Sequence, residues 1–172
     1  MASDATGQLA GSGLPPSLTA LADHLFLRGM PEDFIAALAE TCRVGVAEAG
    51  HRLFDEGGAA SKFWLIRSGR VALDLYVPGR PRLIVETLGA GDLLGLSWFT
   101  PPMRWQFGAI AVQKTSSFEL DAAAVRAVCD ADPGRGYQFV RRLMTAASGR
   151  LQASRVRMLD LYAAPAPPGG AS

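Results

Sequence analysis

Cysteine is scarce in this chain. Cys42 and Cys129 are the only two in 172 residues, and they lie far apart in sequence. That argues against a disulfide framework, and a four-cysteine zinc or iron–sulfur site cannot form within one chain. Histidine is equally rare. His24 and His51 fall in different elements with no acidic or cysteine partner at metal-ligand spacing, so no metal is expected. His24 reads as a decoration of the first helix, His51 as part of an exposed turn. The two cysteines read as small core residues rather than redox sensors.

Long apolar runs are missing too. No stretch approaches the about 18 residues that a spanning helix needs, so no membrane segment is expected. The first residues have neither a basic region nor an apolar core of the secretory kind, which leaves the cytoplasm as the default compartment. No Gly-x-Ser-x-Gly, P-loop or paired-carboxylate motif occurs, which argues against an enzyme. Net charge is +1, too little for a general attraction to nucleic acid or anionic lipid. That average hides an asymmetry. Residues 1–133 carry 11 Lys/Arg against 15 Asp/Glu, whereas 134–172 carry six Arg against Asp160 alone.

What is present suits a globular domain: 49% hydrophobic and 19% charged residues. Residues 1–17 and 163–172, rich in Gly, Ala, Ser and Pro, are expected to be disordered tails. Leu18, Leu21, Leu25 and Phe26 have helical spacing. Pro31 starts a second short helix with Glu32 and Asp33 in its first turn and Phe34, Ile35 and Leu38 on its apolar face.

From Val44 to Leu120 short apolar runs alternate with glycine-marked turns. Phe63-Trp64-Leu65-Ile66 reads as a buried strand closed by Ser68-Gly69. Val71, Leu73 and Leu75 alternate, and Pro78-Gly79 turns the chain into Leu83, Val85 and Thr87. Strands at this spacing predict a sandwich or barrel. Asp121 is a good N-cap for a helix that Asp132-Pro133-Gly134 ends.

The stretch from Arg135 to Tyr162 contains no proline. Val140, Met144, Ala147, Leu151, Ser154, Met158 and Leu161 recur at spacings of four and three, a heptad seam along one long helix. The seam predicts a homodimer. Arg141, Arg142, Arg150, Arg155 and Arg157 read as a solvated face around it.

Three words carry a family resemblance: Gly50-His51-Arg52-Leu53-Phe54-Asp55-Glu56-Gly57, then Phe63-Trp64-Leu65-Ile66-Arg67-Ser68-Gly69-Arg70-Val71, then Leu88-Gly89-Ala90-Gly91-Asp92-Leu93-Leu94-Gly95. In this order and spacing the region resembles the cyclic-nucleotide-binding domain of catabolite-activator and Fnr-type regulators, over roughly residues 20–162. The resemblance implies a mainly β fold, an eight-stranded jelly roll (β-roll) with short N-terminal helices over residues 18–134. It also implies a long C-terminal dimerisation helix over 135–162. Relatives that bind DNA do so through a helix-turn-helix domain after that helix. Only ten residues follow Tyr162, so no such domain and no specific nucleic-acid binding are expected.

In the family a phosphate-binding cassette runs Gly-Glu-Leu-Ala and then an Arg with a small residue. The Gly opens a short helix whose N–H groups meet the cyclic phosphate, the Glu accepts from the ribose hydroxyl and the Arg neutralises the phosphate. Here the segment starts Gly95-Leu96-Ser97-Trp98 and ends Arg104-Trp105-Gln106-Phe107. Leu96 stands at the glutamate position, Trp105 at the arginine position, and Arg104 one residue early. On a strand that offset turns a side chain to the other face, although a bulge can restore it.

Gly95, Leu96, Ser97, Trp98, Arg104, Trp105 and Gln106 are therefore the candidate ligand site, with the tryptophans either stacking a ligand or filling the pocket. The expected function is a non-enzymatic regulatory or accessory module with a degenerate cassette. It is either ligand-free or takes a non-standard small ligand, acting through protein partners and with no cofactor. The alternatives are a cyclic AMP or cyclic GMP sensor and a weak DNA-binding regulator.

Overall fold

A run of short strands, each too apolar on one side to face water alone, must bury that side against a second sheet. The computed structural model describes residues 15–163, except the side chains of 157, 158 and 160–163. It resolves the problem with two four-stranded sheets. Eight strands follow in chain order: β1 (Cys42–Ala47), β2 (Arg52–Phe54), β3 (Lys62–Ser68), β4 (Val71–Leu75), β5 (Leu83–Leu88), β6 (Leu93–Leu94), β7 (Gly108–Ala111) and β8 (Thr115–Asp121). One sheet has the order β1-β8-β3-β6 and the other β2-β7-β4-β5, with every pairing antiparallel. Trp64 faces Phe54 across the space between them, whereas Phe63 and Phe118, on the opposite face of their sheet, meet Phe139 and His24 from the helical segments. This is the expected mainly β jelly roll with flanking helices.

The turn after β3 shows why glycine stands where it does. Gly69 has φ +88°, and a Cβ there would lie 2.3 Å from the Lys114 carbonyl oxygen. Only glycine fits both the backbone and the space.

The lead-in departs from its pattern. The helix α1 covers only Leu18–Ala22, so Leu25 and Phe26 lie beyond it. His24 causes the break. It does not decorate a helix but is buried, its Nε2 2.9 Å from the Ile66 carbonyl and its Nδ1 accepting from the Phe26 N–H at 3.3 Å. Those two bonds hold the chain in a turn rather than a helix. Burial pushes the His24 imidazole below its usual pKa, against the opposing pull of the Ile66 carbonyl. His51 is likewise half-buried rather than in an open turn, with an enclosed Nε2 that finds no partner among the described residues.

Pro31 caps α2 (Glu32–Glu40), whose Phe34, Ile35 and Leu38 are buried. Asp121 accepts from the Ala124 N–H at 2.8 Å and starts α3 (Ala122–Ala131). Asp132 then accepts from the Arg135 N–H at 3.1 Å, turning the chain into α4 (Pro133–Ala163). Along α4 the residues buried against the roll are Phe139 and Leu143, with Ala146 half-buried. The heptad residues sit one step round. Val140 and Ala147 are half-buried, Met144 is 57% and Leu151 54% exposed, and Ser154 is exposed. The side chains of Met158 and Leu161 lie outside the described residues.

Burial raises the Cys42 thiol to about 12 and the Cys129 thiol to about 11, so both stay protonated near neutrality. No helix among the described residues is long and apolar enough to cross a membrane. Among those residues no group of three or more His, Cys, Asp or Glu side chains is placed to hold a metal ion.

Candidate functional site

The candidate site is built where β6 ends. Gly95 takes φ +89°, a left-handed turn that sends the chain into a single tight helical turn over Leu96–Trp98. That turn aims Trp98 inward. Its ring is 1% exposed and stacks on Phe63 at 4.8 Å and 12°. Arg126 of α3 covers the ring at 5.8 Å and donates to the Trp98 carbonyl at 3.0 Å. Trp98 is thus part of the core beneath the site and does not line it, because the helical turn points it away from the cassette's open side.

The other end of the segment is set by a short antiparallel ladder. The Trp105 N–H donates to the Gly58 carbonyl at 2.9 Å, and the Gly57 N–H donates to the Trp105 carbonyl at 2.8 Å. The Ala60 N–H donates to the Met103 carbonyl at 2.8 Å. A ladder imposes two-residue alternation, so Trp105 points in while Arg104 and Gln106 point out. Arg104 is exposed, and its Nη1 donates to the Gly57 carbonyl at 2.8 Å. No bulge returns it to the inside. The arginine that the sequence offers for a phosphate is therefore on the wrong face.

Trp105 takes the inner place. Its ring is 6% exposed, stacked on Phe54 at 3.9 Å and 18° and tilted on Trp64 at 5.9 Å. A Cβ on Gly95 would lie 2.9 Å from Trp105 Cζ3. The indole thus rests directly over the glycine that opens the tight turn.

An open cavity of about 350 Å³ remains beside the ring. Phe54, Leu73, Val85, Trp105 and Phe107 supply its apolar lining, together with Gly95, Leu96, Ser97 and Gln106 of the cassette and Arg150, Leu151 and Ser154 of α4. Glu86 of β5 completes the lining. Five of the seven expected cassette residues meet here, Trp98 and Arg104 excepted, and two residues of the heptad seam join them.

The sequence pattern did not reveal Glu86 or Arg150. Arg150 had read as part of a solvated face, yet its side chain is 19% exposed and that of Glu86 17%, with Nε and Oε2 4.0 Å apart. Burial pushes the Arg150 guanidinium below its ordinary pKa, against the opposing pull of the Glu86 and Asp92 carboxylates. The only available signal was position: Arg150 stands three residues after Ala147 and four before Ser154 of the seam, and helix residues at those spacings share a face.

Behind the cavity wall, Asp74 of β4 is held by two arginines. Arg52 Nη2 is 2.5 Å from Asp74 Oδ2, and Arg82 Nη1 is 3.0 Å from Oδ1. Burial would raise the Asp74 carboxyl, but the two guanidiniums outweigh it and hold its pKa below the usual range.

A family model described as the cyclic nucleotide-binding domain matches residues 45–132. No functionally curated protein matches the chain. Among solved structures, a cyclic nucleotide-binding domain from Methylobacillus flagellatus is 20% identical, with a TM-score of 0.73 covering 83% of each chain. A cAMP-binding acyltransferase from Mycobacterium smegmatis is 26% identical at TM-score 0.65, over 79% of this chain and 41% of that one. The regulatory subunit of a cAMP-independent protein kinase A from Trypanosoma brucei is 16% identical at TM-score 0.65, over 82% of this chain and 50% of that one.

Proposed function

Since the chain belongs to the cyclic nucleotide-binding domain family, matched over residues 45–132, we propose that it is a non-enzymatic regulatory module that has given up cyclic-nucleotide recognition. In this reading it keeps an open pocket for a different small ligand. One observation carries the proposal: Trp105 lies over Gly95 while Arg104 is turned out to the Gly57 carbonyl. A cyclic phosphate arriving at Gly95 would meet an indole instead of a guanidinium. Leu96 offers its ribose no acceptor. An unpaired buried hydroxyl weakens binding by about 1–3 kcal/mol, and loss of a charge-assisted contact costs about twice a neutral one.

The fold tolerates this change of use, since function resides in the site and not in the jelly roll. The trypanosomal relative is itself described as cAMP-independent. The open cavity of about 350 Å³ favours an occupied pocket over a purely ligand-free module, because it falls within the usual size of small-molecule sites. A homodimer through α4 belongs to the same proposal. Met144 and Leu151 each leave more than half of their surface exposed, and a second copy would bury it. The output then passes to a partner protein through α4.

The test is calorimetry with cyclic AMP and cyclic GMP on the wild type and Arg104→Ala. Both proteins are expected to show no binding below about 100 µM, the combined effect of the two lost contacts. Sub-micromolar binding that Arg104→Ala abolishes would make this a conventional cyclic-nucleotide sensor instead.

A further inference from the structure

His24 fastens the lead-in through both of its ring nitrogens, and each bond assigns a proton. The Phe26 N–H donates to Nδ1 at 3.3 Å, so Nδ1 carries no hydrogen. Nε2 then carries the hydrogen of the neutral ring and donates it to the Ile66 carbonyl at 2.9 Å. The ring is buried, and the same turn is closed by the Leu27 and Arg28 N–H groups on the His24 carbonyl, at 2.8 and 2.9 Å. A second proton has one place to go. On Nδ1 it faces the Phe26 N–H, which sets a donor against a donor and removes that bond.

The turn carries a tie to α4. Phe26 is buried edge-on against Phe139, with ring centroids 5.5 Å apart at 84°. Arg142, three residues further along the helix, donates from Nη1 to the Phe26 carbonyl at 2.9 Å and from Nη2 to the Arg28 carbonyl at 2.7 Å. One guanidinium thus holds both carbonyls that flank Leu27, and it reaches both only while the turn keeps its shape.

The charged groups around the ring come from four elements. Asp23 and Arg28 stand beside His24 on the lead-in, Arg67 on β3 and Asp92 on the loop before β6, with Arg142 of α4 the next cation beyond them. β8 presents the uncharged Phe118 ring, 6.2 Å away at 73°. No carboxylate hydrogen-bonds to the imidazole among the described residues. Burial holds the imidazole below its ordinary pKa and Arg67 acts the same way, while the Ile66 carbonyl and Asp92 oppose them.

We infer that His24 is an acid-operated latch: taking up a proton opens the turn at residues 24–28 and frees α4 from its tie to the lead-in. The latch lies on the opposite face of the β3 sheet from Trp64, away from the cassette. Once the turn opens, the ring meets water and regains an ordinary pKa of about 6.5. The opened form therefore binds the proton more tightly than the closed form. Opening becomes more favourable by up to about tenfold per pH unit below about 6.5 and is indifferent to pH above it.

Amide hydrogen exchange of the full chain, followed by NMR and corrected for the intrinsic effect of pH, tests the latch. The amides of Leu27, Arg28 and Met30 are expected to exchange roughly tenfold or more faster than those of β3, because the turn opens while the roll stays folded. Between pH 7 and 5 their opening should increase by about fivefold or more. His24→Gln, which keeps a donor and an acceptor but does not titrate, is expected to abolish that increase. Arg142→Met, which removes both bonds to the lead-in carbonyls, is expected to speed the same exchange at pH 7 and to leave its pH response.

Exchange at these amides no faster than in β3, or an increase that persists in His24→Gln, overturns the inference. An Arg142→Met protein with unchanged exchange overturns the tie to α4. Nitrogen NMR of the wild-type imidazole decides the matter even if a variant does not fold. His24 is expected to carry its proton on Nε2 at pH 7, and a proton on Nδ1 there overturns the latch.

Discussion

Replacing Trp105 with alanine removes the ring that packs over Gly95, and the cost follows from how that ring is held. It is 6% exposed, parallel to Phe54 at 3.9 Å and against Trp64 at 5.9 Å. Truncating a buried Phe or Trp to Ala costs about 3–5 kcal/mol, and each aromatic pair within that is worth about 0.5–1.5 kcal/mol. Here the vacated space joins an existing cavity of about 350 Å³ that opens at its rim, so water can enter it. That places the loss at the low end, about 3 kcal/mol.

Urea unfolding followed by circular dichroism reads the effect directly. With a slope of about 2–3 kcal/mol per molar, the midpoint should fall by about 1–1.5 M without a change in slope. Trp105→Phe keeps one stacked ring and should lose less than half as much. A loss below about 1 kcal/mol for Trp105→Ala would refute the reasoning. It would mean that the ring is not packed over Gly95 in solution and that the anion-binding turn stands open.

Three other outcomes are expected. Met144→Glu, which alters the exposed face of α4 without touching the cavity, should convert a dimer into a monomer in sedimentation at roughly tens of micromolar; a monomeric wild type at that concentration would remove the dimer from the account. Asp74→Ala should destabilise the fold by about 3 kcal/mol, because it leaves Arg52 and Arg82 sharing only the exposed Asp55 carboxylate, 3.4 Å from each; the loss is at the low end of the about 3–5 kcal/mol for a broken buried pair because both arginines are partly exposed and keep that contact. His24 is neutral in its buried site and more basic when unfolded, so the unfolded chain takes up the proton first and stability falls as pH drops below about 6.5, by at most about 1.4 kcal/mol per pH unit. His24→Gln should flatten that slope between pH 7 and 5 in chemical unfolding, and an unchanged slope would assign the pH dependence to other groups.

Much of the fold was legible because its signals are local. A glycine with positive φ must stand at a tight turn, as Gly69 does, and an aspartate before an apolar helix caps it, as Asp121 does. The one-residue offset of Arg104 was legible as a problem but not as an outcome. Whether it pointed in or out depended on the ladder between residues 103–105 and 57–60, which pairs segments more than forty positions apart. His24 was misread for the same reason: its partner, the Ile66 carbonyl, is forty-two positions away. Helical spacing of the leucines around it could not show that a backbone carbonyl would draw the ring inward. Glu86 and Arg150 were invisible together, since nothing in either local pattern says that β5 and α4 meet across a cavity.

The central claim is that Trp105 and Leu96, not the fold, exclude a cyclic nucleotide from the turn at Gly95. Calorimetric titration with cyclic AMP, run on the wild type, Leu96→Glu and the Leu96→Glu/Trp105→Arg pair, tests it most directly. The account predicts no binding by the wild type or by Leu96→Glu, because the indole still covers Gly95. It predicts measurable binding by the pair, which restores the acceptor and the cation while uncovering the turn. Sub-micromolar binding by the wild type, or by Leu96→Glu alone, would contradict it.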